Sequence, residues 1–230
     1  MGISAGLGVD ALRAGVVTSS TRPTSPYEGQ VIYETDTNRV LVWDASAWVA
    51  PNSTTANPPG LEKITPTISS AGGTAASVSG GVVSIGNGNT SVTVTAFSAD
   101  YENYVVVMNR VLASSGNPGA YMTIGNAATA YYSVTAYWAY DNSGDGTAKR
   151  NNSTEWNTGY FGANHYSAQF TIYGPFVALR TAISGSAAGD LYESVTNGML
   201  ANNNSYTSFT IAPSSGSFTG GTIRVYVYRN

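Results

Sequence analysis

From Gly81 onward one pattern governs the chain: a short run rich in Val, Ile, Thr, Tyr and Phe, closed by a cluster of Gly, Asn, Ser or Pro. Such runs suit a pleated, half-buried surface, and such clusters turn the chain because their backbones tolerate unusual dihedrals or bond to their own side chains. Candidate strands fall at 81–85, 91–97, 104–112, 120–124, 131–140, 153–160, 166–173, 177–184, 192–200, 206–212 and 221–229, separated by GNGN, ASSGNPG, DNSGDG, NNN and SSGS. No helix of ordinary length fits after residue 20. Short strands at this spacing predict a sandwich or barrel. The fold class expected is all-β, with a jelly-roll-like β-sandwich over 81–230. Alternation divides the faces: Val92 and Val94 against Thr93 and Thr95, Phe170 and Ile172 against Thr171 and Tyr173, and Ile223, Val225 and Val227 against Arg224, Tyr226 and Tyr228. The unbroken apolar run from Tyr104 to Met108 suits a central strand covered on both sides.

A second, smaller pattern precedes it. Residues 30–34 (QVIYE) read as a strand, 35–38 (TDTN) as its turn, 39–43 (RVLVW) as the return strand, and 47–49 as the start of a third. This meander is too small to be stable alone by the usual rule for short sheets. Pro23 and Pro26 make 22–29 an extended strap leading into it. Ahead of the strap, Val9 to Ala14 could make one or two helical turns, a length marginal in water. Residues 51–60 (PNSTTANPPG) read as a linker. Residues 61–80 offer only Leu61, Ile64 and Ile68 as sizeable anchors, so 51–80 is taken as linker and uncertain extended region.

Arg22-Pro23, Glu28-Gly29-Gln30, Tyr33-Glu34-Thr35-Asp36-Thr37, Trp43 and Trp48 together make a motif. In that respect the segment resembles a module of tailed-bacteriophage structural proteins, found in tail fibres, head fibres and capsid decoration proteins. SIGNGNTSVTVTAFSADYENYVVV (84–107) and TGGTIRVYVYRN (219–230) likewise resemble terminal domains of phage fibre proteins. The resemblance implies a short homotrimeric fibre or decoration protein, assembled in the host cytoplasm and exposed on the virion. Residues 1–50 would anchor it to another capsid or tail protein, with Leu7, Val9, Leu12, Tyr33, Trp43 and Trp48 as anchoring or trimer contacts.

Composition narrows the function classes. Only 10% of residues are charged and the net charge is −3, which supplies no basic footprint for nucleic acid. There is no cysteine, hence no disulfide and no thiolate chemistry. No run approaches the roughly 20 apolar residues of a membrane span, and MGISAGLGVDALRAGVV lacks the basic n-region of a signal peptide. His165 is the one histidine, and no G-x-S-x-G elbow presents a serine to it. Asp141 to Gly146 starts like a calcium loop but has Asn152 where the bidentate Glu belongs. Neither a metal ion nor a cofactor is expected. Glycan cleavage would need two carboxylates at a set separation, and Glu155 with Asp141 or Asp145 is the pair to test.

The densest chemistry is aromatic. Tyr137, Trp138, Tyr140, Trp156 and Tyr160, with Asp145 and His165 nearby in sequence, are the candidate contacts for a host cell-surface glycan. Large rings equally dominate cores and interfaces. Both faces of 131–140 carry aromatics, so two readings stand for these rings: sugar contact, or packing in the core or a trimer interface. The function expected is a non-enzymatic structural protein of the virion, with two readings left open for its sandwich: contact with host glycan, or a purely structural role. A virion-borne or secreted glycan-degrading enzyme is the alternative.

Overall fold

Two regions of different texture build the chain, and they fold as two units, residues 1–58 and 59–230. A computed structural model describes residues 15–51, 60–141 and 143–229. The helical turn expected at Val9–Ala14, and the contacts expected of Leu7, Val9 and Leu12, lie outside the described residues, as does most of the 51–60 linker.

The first unit is a four-stranded sheet of β1 (Gly15–Val17), β2 (Val31–Glu34), β3 (Arg39–Trp43) and β4 (Trp48–Val49), in that order. The meander lies where the sequence predicts it. The unexpected element is β1, which joins β2 in parallel, with Val16 opposite Tyr33. Several residues of the Arg22–Trp48 motif, with neighbours outside it, hold this unit together. Gly29 sits at φ +83, in the left-handed region that favours glycine, and its N–H donates to Trp43 O (2.8 Å). The Arg22 guanidinium pairs with Glu34, which is almost fully buried and also accepts from Thr37 Oγ1 (2.7 Å). Asp36 accepts from Ser19 N (2.9 Å) and Ser19 Oγ, and Asp44 accepts from Ser46 N (2.9 Å) and Ala47 N (2.7 Å). Trp43 and Trp48 are half-buried within the chain and meet edge to face at 5.5 Å. On the opposite face Val16 (71% exposed), Val31 and Val40 stand open to solvent.

These contacts predict acid sensitivity. Arg22 and then Thr37 hold the Glu34 carboxyl below its ordinary range, and Ser19 and the Ser46/Ala47 amides do the same for Asp36 and Asp44. The unfolded chain therefore takes up protons first on acidification. The stabilisation is complete above the unfolded carboxylate values, about 4, and is lost as pH falls through them towards the lower folded values. The indole signals of Trp43 and Trp48 should broaden or shift below about pH 4 while that of Trp156 stays native. Arg22→Ala should move this loss to higher pH.

The second unit is a sandwich. Its strands are β5 (Gly60–Lys63), β6 (Thr67–Ala71), β7 (Ser77–Ser79), β8 (Val82–Ser84), β9 (Ser91–Thr95), β10 (Asn103–Ala113), β11 (Gly119–Ile124), β12 (Tyr131–Ala139), β13 (Gly146–Ser153), β14 (Trp156–Tyr160), β15 (Tyr166–Tyr173), β16 (Thr181–Gly189), β17 (Tyr192–Leu200), β18 (Ser208–Pro213) and β19 (Phe218–Arg229). A ten-stranded sheet has the order β13-β12-β17-β16-β15-β10-β19-β8-β7, with β5 also pairing β19; a five-stranded sheet has the order β14-β11-β18-β9-β6. From β9 to β19 the chain passes back and forth between the sheets. Their inner faces meet in one core, including Val92, Val94, Met122 and Phe209 from one sheet and Tyr104, Val106, Phe170, Ile172, Ile223, Val225 and Val227 from the other. No helix occurs among the described residues.

The all-β sandwich and the alternation read at 92–95, 170–173 and 223–228 match the structure. Central β10 lies between β15 and β19. Three assignments need correction. Residues 60–79, taken as linker and uncertain extension, form β5, β6 and β7 of the sandwich, and Ile64 and Ile68 pack on its core. Residues 146–153, not assigned a strand between the candidates at 131–140 and 153–160, form β13 by pairing with β12. The strand placed at 177–184 runs instead over 181–189, because its register with β15 and β17 sets its ends.

Candidate functional site

Strand β12 decides which aromatics are available. Tyr131, Ser133, Thr135 and Ala139 face inward and are buried. Buried hydroxyls need partners, and Thr135 Oγ1 reaches Asn157 O (2.6 Å) and Thr196 Oγ1 (3.0 Å). The outward set is Tyr132, Val134, Ala136 and Trp138, followed by Tyr140 just past the strand end. Trp138 is 43% exposed and Tyr140 54%.

Strand pairing then carries residues from five strands to the indole. Trp138 lies opposite Glu193, Glu193 opposite Ala188, and Ala188 opposite Ser167. A parallel row runs Val195, Ser186, Gln169, Val107 and Arg224. The floor is made of small side chains, Ser167, Ser186 and Ala188, while Trp138 with Glu193 and Arg224 rise at opposite ends. The result is an open trough of about 600 Å³ across the outer face of the ten-stranded sheet. One acid and one base leave it without net charge, and the Trp138 indole, the small hydroxyl-bearing floor and the Gln169 and Asn109 amides suit a ligand with both apolar faces and hydroxyls.

Of the sequence-predicted contacts, Trp138 lines this trough; Tyr140 is exposed just past the end of β12 and does not line it. Burial, then Glu193, raises the Tyr140 hydroxyl above its ordinary value. Tyr137 and Tyr160 turn away to join Tyr192 in a three-ring cluster, with centroids 5.0, 5.4 and 4.9 Å apart. Asp145 serves its turn, accepting from Ala139 N (3.2 Å). His165 is exposed in the connection between β14 and β15. Trp156 is a correction: it is 0% exposed, packs edge to face on Tyr131 at 5.3 Å, and donates through Nε1 to Met199 O (3.2 Å). Its place is the core, where no sugar reaches. Sequence reasoning missed Gln169, Ser186, Glu193 and Arg224. Alternation pointed Arg224 outward, but only register sets it beside Val107 and Gln169.

The carboxylates weighed for cleavage do not converge. Glu155 pairs with Arg150 Nη2 (3.3 Å). Asp141 accepts from Ser143 N (2.9 Å) and lies with Asp145 beyond the opposite end of β13. From Gly146 to Arg150 alone the strand advances roughly 13 Å, beyond the about 5–10 Å that flanks a glycosidic bond. No family model matches the chain, and no curated protein is significantly similar to it.

Proposed function

We propose that this chain is a structural protein of a tailed-phage virion, a short homotrimeric fibre or decoration protein. Residues 1–50 dock it to another virion protein, and the sandwich meets the host surface, where the Trp138 trough holds a glycan without cleaving it. The virion half of this reading rests on the motif of residues 21–49, whose members serve the fold of a small sheet and not a reaction. That sheet leaves Val16, Val31 and Val40 uncovered in one chain, a surface suited to partner subunits. The observation that carries the ligand half is the exposed Trp138 indole beside a floor of Ser167, Ser186 and Ala188. A flat ring next to small side chains leaves room for a pyranose to lie against it.

Trp138→Ala should weaken binding to host envelope polysaccharide about tenfold or more, as loss of an aromatic anchor does, with the fold unchanged. Few charges take part, so added salt should matter little. Fragment size is followed in the same incubation. Shortened chains, lost on Glu155→Gln, would replace this reading with the enzyme. Imaging of a tagged copy on particles and native mass measurement test the virion and trimer assignments.

A further inference from the structure

A second pocket lies on the other side of the sandwich, on the outer face of the five-stranded sheet. Tyr121 alternates with core-facing Ala120 and Met122, so its ring points away from the core. The ring lies over Gly119, where an added Cβ would sit 2.8 Å from Tyr121 Cε1. Arg150 reaches over from β13 and places its guanidinium carbon 4.9 Å from the Tyr121 ring centre, a stacked cation–π arrangement. Glu155 pairs with that guanidinium through Nη2 at 3.3 Å. Arg150 Nε is buried with no hydrogen-bond partner, a donor that carries a cost until something accepts from it. The connections around Asn117 and Ser214 complete a pocket of about 600 Å³, within the usual range for small-ligand sites.

The donors and acceptors suit one ligand chemistry. Ser214 Oγ accepts from Gly119 N (2.8 Å), which leaves its proton to donate elsewhere. Burial, then neighbouring Tyr137, pushes the Tyr160 hydroxyl up to about 12, so it stays protonated at neutral pH. Glu155 already balances Arg150, and an anionic ligand would bring a second carboxylate against it. A neutral ring bearing several hydroxyls both donates and accepts, meets no such repulsion, and offers an apolar face to Tyr121.

We propose that this pocket binds a neutral saccharide ring, stacked on Tyr121 and hydrogen-bonded by Arg150, Tyr160 and Ser214. The proposal extends the glycan reading of the trough but uses a separate set of residues on the opposite face.

The test is a titration of the isotope-labelled full chain with neutral oligosaccharides of glucose, galactose, mannose and N-acetylglucosamine, and with oligogalacturonate as the acidic probe. At least one neutral probe should shift the amides of Gly116, Gly119 and Ser215. Tyr121→Ala should weaken that response about tenfold, Tyr121→Phe should keep it, and Trp138→Ala should leave it unchanged. Shifts confined to the Trp138 indole would overturn the pocket and leave the trough reading standing. Pocket shifts without any at Trp138 would do the reverse. A response to oligogalacturonate alone, or an undiminished response in a folded Tyr121→Ala, would also overturn the pocket, and silence with every probe would overturn both.

Discussion

Trp156→Ala is expected to cost about 3–5 kcal/mol of stability, the range for deleting a buried aromatic. Stability of a whole domain is about 5–15 kcal/mol, so the variant should be marginal or unfolded. Three losses combine: the ring is fully buried, its edge-to-face contact with Tyr131 disappears, and Met199 O loses its Nε1 donor. Tyr131 would also line the cavity, and its hydroxyl donates to the 124–127 turn. Urea unfolding followed by circular dichroism measures the effect. Trp138→Ala is the comparison, since surface substitutions usually stay within about 0.5 kcal/mol. Equal stability of the two variants would contradict the burial assigned here and return Trp156 to the surface.

Gly221→Ala is expected to damage the fold almost as much, for a backbone reason. Strands β10 and β19 pair from Tyr104–Val227 to Asn109–Thr222, then slip before Leu112–Gly220. The slip is a bulge, with Arg110 at φ +51 and Gly221 at φ +122. A Cβ on Gly221 would lie 2.4 Å from Arg110 O and 2.5 Å from Val111 Cα. Both are backbone atoms of a central strand, so neither can swing aside. Strain at such a position costs about 1–3 kcal/mol, and overpacking a filled site adds about 1–3 kcal/mol. Amide exchange across β10 and β19 should accelerate along with a lowered unfolding midpoint. Unchanged protection of Met108 and Ile223 would show that the bulge is not needed.

Particular residues show what was legible in the sequence. In β15 and over residues 223–228 of β19 every second side chain is apolar and the intervening ones are polar or tyrosine, so the inward set could be read directly. The meander was legible because Thr35–Asn38 and Asp44–Ser46 are turn formers between β-branched runs. Strand β13, GTAKRNNS, has no apolar alternation at all. It is a strand because β12 offers it an unpaired edge, a backbone interaction that leaves no mark on side-chain pattern. The same holds for Ser77–Ser79 and for much of β6.

The candidate site divides in the same way. Sequence alone determined the all-β class, the small motif-bearing sheet, and the concentration of aromatics between 131 and 160. It could not choose between the faces of β12, because Tyr131 and Tyr137 on one side balance Tyr132 and Trp138 on the other. Only packing against the five-stranded sheet made the Tyr131 side the core and left Trp138 in solvent. Only strand order carried Ser167, Ser186, Glu193 and Arg224 to the indole from up to 86 residues away along the chain (Trp138 to Arg224, 224 − 138). The physical reason is that alternation is a local property, set by the geometry of one strand. Burial and register belong to the whole sandwich and depend on which neighbours the strand finds.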